Sequence, residues 1–174
     1  MSWDTIVKKA SPYIVKIETQ SGSGTGFLCG YNEKKTLCLI ATALHVVQEC
    51  EEWQQALKIH NVSNGQTTFL AGSERVIFTD YSRDSAVILC PIGDLGFPQE
   101  LIPLRAMDAP IDIGLEVGWL GFPAIAPWTL CFFSGCISAK KENESAYLVD
   151  GVAINGVSGG PVLYRDPTDG VQFV

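Results

Sequence analysis

Three residues, widely separated in the chain, are of the types that acyl-transfer chemistry requires: His45, Asp84 and Ser158. Ser158 lies in Asn155-Gly156-Val157-Ser158-Gly159-Gly160-Pro161, with three glycines around it and a closing proline. A serine hydroxyl is a weak nucleophile until a neighbouring base takes its proton. Glycines accept unusual backbone angles and let the main chain approach a ligand closely. Such a turn can expose the hydroxyl and aim nearby amides at one point, where an oxyanion would develop. Taken alone, the string is equally a glycine-rich hairpin turn with an incidental serine. The deciding question is whether a base and an orienting acid exist elsewhere. His45 stands where an apolar run gives way to a helical pattern, and Asp84 stands just before the apolar run Ser85-Ala86-Val87-Ile88-Leu89. In isolation the first reads as a structural histidine and the second as a turn aspartate. His60 sits mid-strand among polar neighbours and reads as solvent-facing.

The elements that must position these residues are mostly strands. Trp3, Ile6, Val7 and Ala10 fall at helical spacing and Pro12 stops the pattern, which predicts a short amphipathic helix over residues 2–10. Residues 13–19 alternate as a strand with one buried face. Residues 21–26, rich in glycine and serine, read as a flexible turn, and no Gly-Lys-Ser/Thr follows that would make a phosphate loop. Runs at 26–31 and 36–42 form a hairpin, and a short helix starts near residue 43. Asn64-Gly65 marks a second hairpin between 57–62 and 66–71. Strands follow at 75–79 and 85–90. Residues 91–103, with three prolines and two glycines, read as a connection between halves. Further strands are predicted at 115–121, 129–138, 145–149, 160–164 and 171–174. Many short strands with Gly/Pro turns define an all-β protein.

Composition narrows the functional classes. The chain has 174 residues, 47% hydrophobic and 18% charged, enough for a substantial core. A net charge of −7 argues against a nucleic-acid partner, whose phosphates want clustered Lys and Arg; Lys140-Lys141 reads as a solvated turn. No apolar run reaches the ~20 residues that span a bilayer, and residues 1–10 lack a signal-peptide core. The six cysteines include no Cys-x-x-Cys pair, which points away from a zinc site and leaves no metal or cofactor expected. Six thiols and no export signal predict a cytoplasmic protein. The sequons at Asn61 and Asn143 matter only outside the cytosol.

Taken together, the order His, Asp, Ser resembles a known family. The chain is similar to trypsin/chymotrypsin-fold serine proteases, most of all to bacterial HtrA-type and related trypsin-like peptidase domains. The resemblance rests on Gly24-Thr25-Gly26-Phe27-Leu28, Thr42-Ala43-Leu44-His45-Val46-Val47, Arg83-Asp84-Ser85-Ala86-Val87 and Gly156-Val157-Ser158-Gly159-Gly160-Pro161. It implies two antiparallel six-stranded β-barrels with the active site between them: residues 1–94 as the first barrel with its helix, 95–103 as linker, and 104–174 as the second. It implies His45 as general base, Asp84 as its orienting acid, Ser158 as nucleophile, and the amides of Gly156 and Ser158 as oxyanion hole.

The departures are informative. Val157 stands where secreted digestive relatives carry an aspartate that pairs with a new N-terminus, so activation here falls to loop ordering or a partner. Val152, six residues before the serine, occupies the base of the primary pocket in the resemblance. It predicts small or medium apolar side chains before the cleaved bond, not Arg or Lys. The family pattern continues beyond the position of Val174, so the second barrel is expected to be incomplete in this chain, its last strands coming from further residues or a partner chain. Low activity and a tendency to associate follow for the chain alone. The expectation is therefore a serine endopeptidase module acting on polypeptides. The alternative, of a different class, is the same fold kept as a non-catalytic peptide-binding or scaffolding unit. An α/β esterase is set aside, because its serine precedes its histidine.

Overall fold

The computed structural model describes residues 1–174 apart from 107, 108, 110, 142–145 and 167–169. The sequon at Asn143 and residues 167–169, between the last two expected strands, lie outside the described residues. The chain is mostly β, with two antiparallel sheets and a short N-terminal helix. In order the elements are α1 (Trp3–Ala10), β1 (Ile14–Glu18), β2 (Ser23–Tyr31), β3 (Leu37–Ala43), α2 (Leu44–Glu52), β4 (Leu57–Asn61), β5 (Gln66–Leu70), β6 (Val76–Asp80) and β7 (Ser85–Pro91). The second half carries β8 (Glu116–Gly121), β9 (Cys131–Lys141), β10 (Ala146–Asp150), β11 (Val162–Asp166) and β12 (Gly170–Phe173). The first sheet runs β5-β4-β1-β2-β3-β7-β6 and the second β10-β9-β8-β11-β12.

The sheets follow from their alternation. In β3, Cys38, Ile40 and Thr42 point inward, and in β7 Ala86, Ile88 and Cys90 do the same. Their register, Cys38↔Cys90 through Ala43↔Ser85, stacks these side chains into one core layer. The main cluster joins both halves: Leu120, Phe122, Leu163 and Phe173 pack with Tyr13, Ile14, Phe27 and Leu28. Phe173 makes edge contacts with Phe27 at 4.8 Å and Tyr13 at 6.3 Å. Helix α1 precedes the first sheet but lays Trp3 against Phe132 of β9.

The segment read as a linker is stapled down. Leu95, Phe97 and Ile102 are buried, and the Tyr31 and Tyr13 hydroxyls donate to the Pro98 and Glu100 carbonyls at 2.7 Å each. Burial pushes the Tyr31 phenol up to about 12. Asn61 of the first sequon is fully buried; its amide donates to the Leu95 carbonyl at 2.8 Å, so that sequon shapes a turn.

Three local expectations are corrected. Residues 23–26 are not a flexible turn but the start of β2, paired with β1 from Ser23↔Glu18 to Gly26↔Val15. Glycine is required at 24 because a side chain there would collide with Val46. Strand β1 is buried on both faces, including Lys16. His60 is not solvent-facing: its side chain is 12% exposed and bonds to Glu18 and Thr67. The β1 and His60 readings judged polarity from sequence neighbours, whereas Trp128 of the second half covers this face of the first sheet.

Candidate active site

His45 and Asp84 are brought together by strand register. Strand β3 ends at Ala43 opposite Ser85, where β7 begins, so the residues just beyond each end are neighbours. Helix α2 starts there, with Ala43 in the extended N-cap conformation and His45 in the first turn. Asp84 holds this corner with three acceptors. Its carbonyl takes the Leu44 amide at 3.0 Å, its Oδ1 takes the His45 amide at 2.9 Å, and its Oδ2 lies 2.7 Å from His45 Nδ1. Its φ of +49° is in the left-handed region, which aspartate tolerates better than most residues. A carboxylate only accepts, so this contact puts the imidazole proton on Nδ1 and leaves Nε2 with its lone pair.

Ser158 is positioned from outside its own sheet. The turn between β10 and β11 is closed by Val157 N–H to the Ile154 carbonyl at 3.2 Å and Gly160 N–H to the Val157 carbonyl at 2.9 Å. Gly156 and Gly159 have φ of +93° and +82°, which β-carbon-bearing residues adopt at a cost. A side chain at Gly159 would also collide with the Thr25 carbonyl and the Thr42 hydroxyl.

Thr25, fully buried in β2, is the hub of these contacts. Its amide donates to the Ser158 carbonyl at 2.9 Å and its hydroxyl to the Gly156 carbonyl at 2.8 Å. The same hydroxyl accepts the Phe122 amide at 3.0 Å, and the Thr42 hydroxyl donates to the Thr25 carbonyl at 2.7 Å. From the other side, Ala124 N–H donates to the Asn155 carbonyl at 2.7 Å. Among the described residues, no protein acceptor engages the amides of Gly156 or Ser158.

His45, Gly156 and Ser158 line one cavity of about 280 Å³, together with Asn155, Thr19 and Ser23. Val152 does not line it; it is 61% exposed in the segment after β10. Burial pushes the Cys29 and Cys50 thiols up, and the Cys90 thiol together with burial holds Cys38 up. Among the described residues, no cluster of His, Cys, Asp and Glu has the geometry to hold a metal ion. The sequence reading missed Thr25 as a positioning residue. Its only signal was a threonine between two glycines in a stretch that reads as a turn.

The fold and this corner define a trypsin-like β protein. The family model for the trypsin-like peptidase domain matches residues 24–169, and the chain belongs to that family. Among solved structures, Deg5 is similar over 92% of this chain and 78% of its own, with a TM-score of 0.71 and 22% identity. The serine endoprotease from Yersinia pestis is similar over all of this chain and 62% of its own, with a TM-score of 0.69 and 20% identity. No curated protein matches the sequence.

Proposed function

We propose that this chain is a serine endopeptidase module, with Ser158 as nucleophile, His45 as general base and Asp84 as the acid that orients it. The observation that carries the reading is the cavity shared by His45 and Ser158, backed by the 2.7 Å contact between His45 Nδ1 and Asp84. In this reading His45 Nε2 takes the Ser158 proton as Oγ attacks the scissile carbonyl, then returns it to the leaving amine. Asp84 keeps the imidazole in the required tautomer and stabilises the imidazolium. The Gly156 and Ser158 amides receive the oxyanion; losing one such donor typically costs about 3–4 kcal/mol of transition-state stabilisation.

Substrate is a polypeptide. With Gly151, Val152 and Ala153 preceding the turn, no carboxylate is supplied there for a basic side chain, so small or medium apolar residues precede the cleaved bond. Trp119, whose ring covers Gly151, forms one apolar wall of that region. The test is hydrolysis of a peptide library, with products read by mass spectrometry, by the wild type and Ser158→Ala. The proposal expects cleavage after apolar residues that is lost in the variant. Cleavage dominated by Arg or Lys would overturn the specificity. Cleavage unchanged by Ser158→Ala would overturn the mechanism.

A further inference from the structure

A cluster outside the catalytic corner ties the two halves together. Lys16 is 3% exposed although it carries an amine. Burying a charged group demands compensation. Its Nζ lies 2.6 Å from Glu18 Oε1 and 3.7 Å from the centre of the Trp128 ring. Glu18 Oε2 is 2.8 Å from His60 Nε2, and the His60 ring meets Trp128 edge-on at 5.0 Å. Lys16, Glu18 and His60 belong to β1 and β4 of the first sheet, whereas Trp128 belongs to the loop between β8 and β9 of the second. In register, His60, Lys16 and Thr25 sit side by side across β4, β1 and β2. That row therefore runs from Trp128 to the hydroxyl that holds the Gly156 carbonyl.

The loop carrying Trp128 also reaches the Ser158 turn. It is braced by two tight turns, Ala126 N–H to the Pro123 carbonyl at 2.8 Å and Thr129 N–H to the Ala126 carbonyl at 2.9 Å. At its start Ala124 donates to the Asn155 carbonyl, which fixes one side of the peptide linking Asn155 to Gly156. The orientation of that peptide sets where the Gly156 amide points.

We infer that Trp128 is a positioning residue: clamped on Lys16 and His60, it holds the 123–130 loop so that Ala124 fixes the Asn155–Gly156 peptide with its amide turned to the substrate oxyanion. The inference rests on the proteolytic reading for its effect on catalysis, but the clamp itself is testable without it. Trp128 is 54% exposed and edges no core cluster, so replacing it leaves the fold intact. A cation on an indole face contributes from ~0.5 to about 2 kcal/mol, so its loss loosens the loop by up to roughly thirtyfold in population.

The experiment compares Trp128→Ala, Trp128→Phe and Lys16→Met with the wild type in two readouts. The first is amide hydrogen exchange. Trp128→Ala is expected to speed exchange at Ala124 about tenfold while the β3 and β7 amides are unchanged, and Trp128→Phe restores most of the protection. The second is peptide hydrolysis, where kcat falls about tenfold with KM within roughly twofold, again restored by phenylalanine. Lys16→Met follows Trp128→Ala in both readouts. Unchanged exchange at Ala124 overturns the clamp. Faster exchange with a raised KM and an unchanged kcat overturns the positioning role and makes Trp128 a substrate contact. A wild type that hydrolyses no peptide defeats the proteolytic reading and with it the catalytic role, while the exchange readout still decides the clamp.

Discussion

The two sheets hold their functional residues in opposite ways. In the first, β3 and β7 alternate cleanly between buried and outer residues, and their register alone places His45 beside Asp84. In the second, β10 has no buried residue, and among the described residues its separate buried cluster comprises Ile111, Val117, Ile137 and Tyr164. The Ser158 turn emerges from this thinner half, and contacts from elsewhere fix it: Thr25 from the first sheet, itself held by the Thr42 hydroxyl, and Ala124 from the loop after β8. Half of the proposed site is thus intrinsic to one sheet's pairing, and half is borrowed across the interface. Geometry at His45 should fail only when the first sheet unfolds. Geometry at Ser158 should be adjustable in a folded molecule.

The largest effects fall on the chemistry itself. Ser158→Ala should lower kcat by about 10⁶-fold. Asp84→Asn should lower it by about 10⁴-fold, because an amide that donates to Nδ1 imposes the wrong tautomer. Steady-state kinetics on one apolar peptide checks both, and equal losses in kcat and kcat/KM mark a transition-state role.

Next come two substitutions that should separate the halves. Ile88, fully buried in β7, packs the first sheet; Ile88→Ala should cost about 2–5 kcal/mol in denaturant melts. Its kcat per folded molecule should stay unchanged. Thr25→Val keeps the shape but strands the Phe122 amide and frees the Gly156 carbonyl, at about 1–3 kcal/mol. Here kcat should fall in the molecules that remain folded. If the two variants lost kcat equally, the contrast between the halves would be wrong.

The smallest effect is a pH dependence. The Lys16 amine beside Glu18, helped by His60, holds the Glu18 carboxyl below its ordinary 4.5 against the opposing effect of burial. A carboxylate with a lowered folded value contributes stability that is fully present above pH 4.5 and is lost as pH falls through that folded value. Glu18→Gln should therefore have a lower Tm than wild type at pH 7, and the gap should close as the solution is made more acidic than pH 4.5. A gap that stayed constant down to pH 2 would show that the charge on Glu18 does not matter.

Much of this was legible in the sequence because the relevant signals are local. The 57–62 and 66–71 strands around Asn64-Gly65 and the alternation of 85–90 depend on short-range pattern. So does the switch from strand to helix at residue 43. What stayed hidden depends on residues that meet only in the folded chain. Lys16 looks like the outward residue of a half-buried strand, because nothing near it in sequence announces the Trp128 ring. His60 looks exposed for the same reason. Residues 23–26 look like a turn because glycine is read as freedom, whereas here it marks the close approach of Val46 and the Ser158 carbonyl. At the site, His45 Nδ1 lies 2.7 Å from Asp84 Oδ2, and Val152 is not in the lining of the cavity that His45 and Ser158 share.

The central claim is that Ser158 is an activated nucleophile and that His45 activates it. Stoichiometric reaction with a fluorophosphonate, mapped by mass spectrometry, tests it most directly. The account predicts a single adduct on Ser158 in the wild type, slowed by orders of magnitude in His45→Ala and absent in Ser158→Ala. An adduct on another residue, or one on Ser158 that forms equally fast without His45, would contradict it.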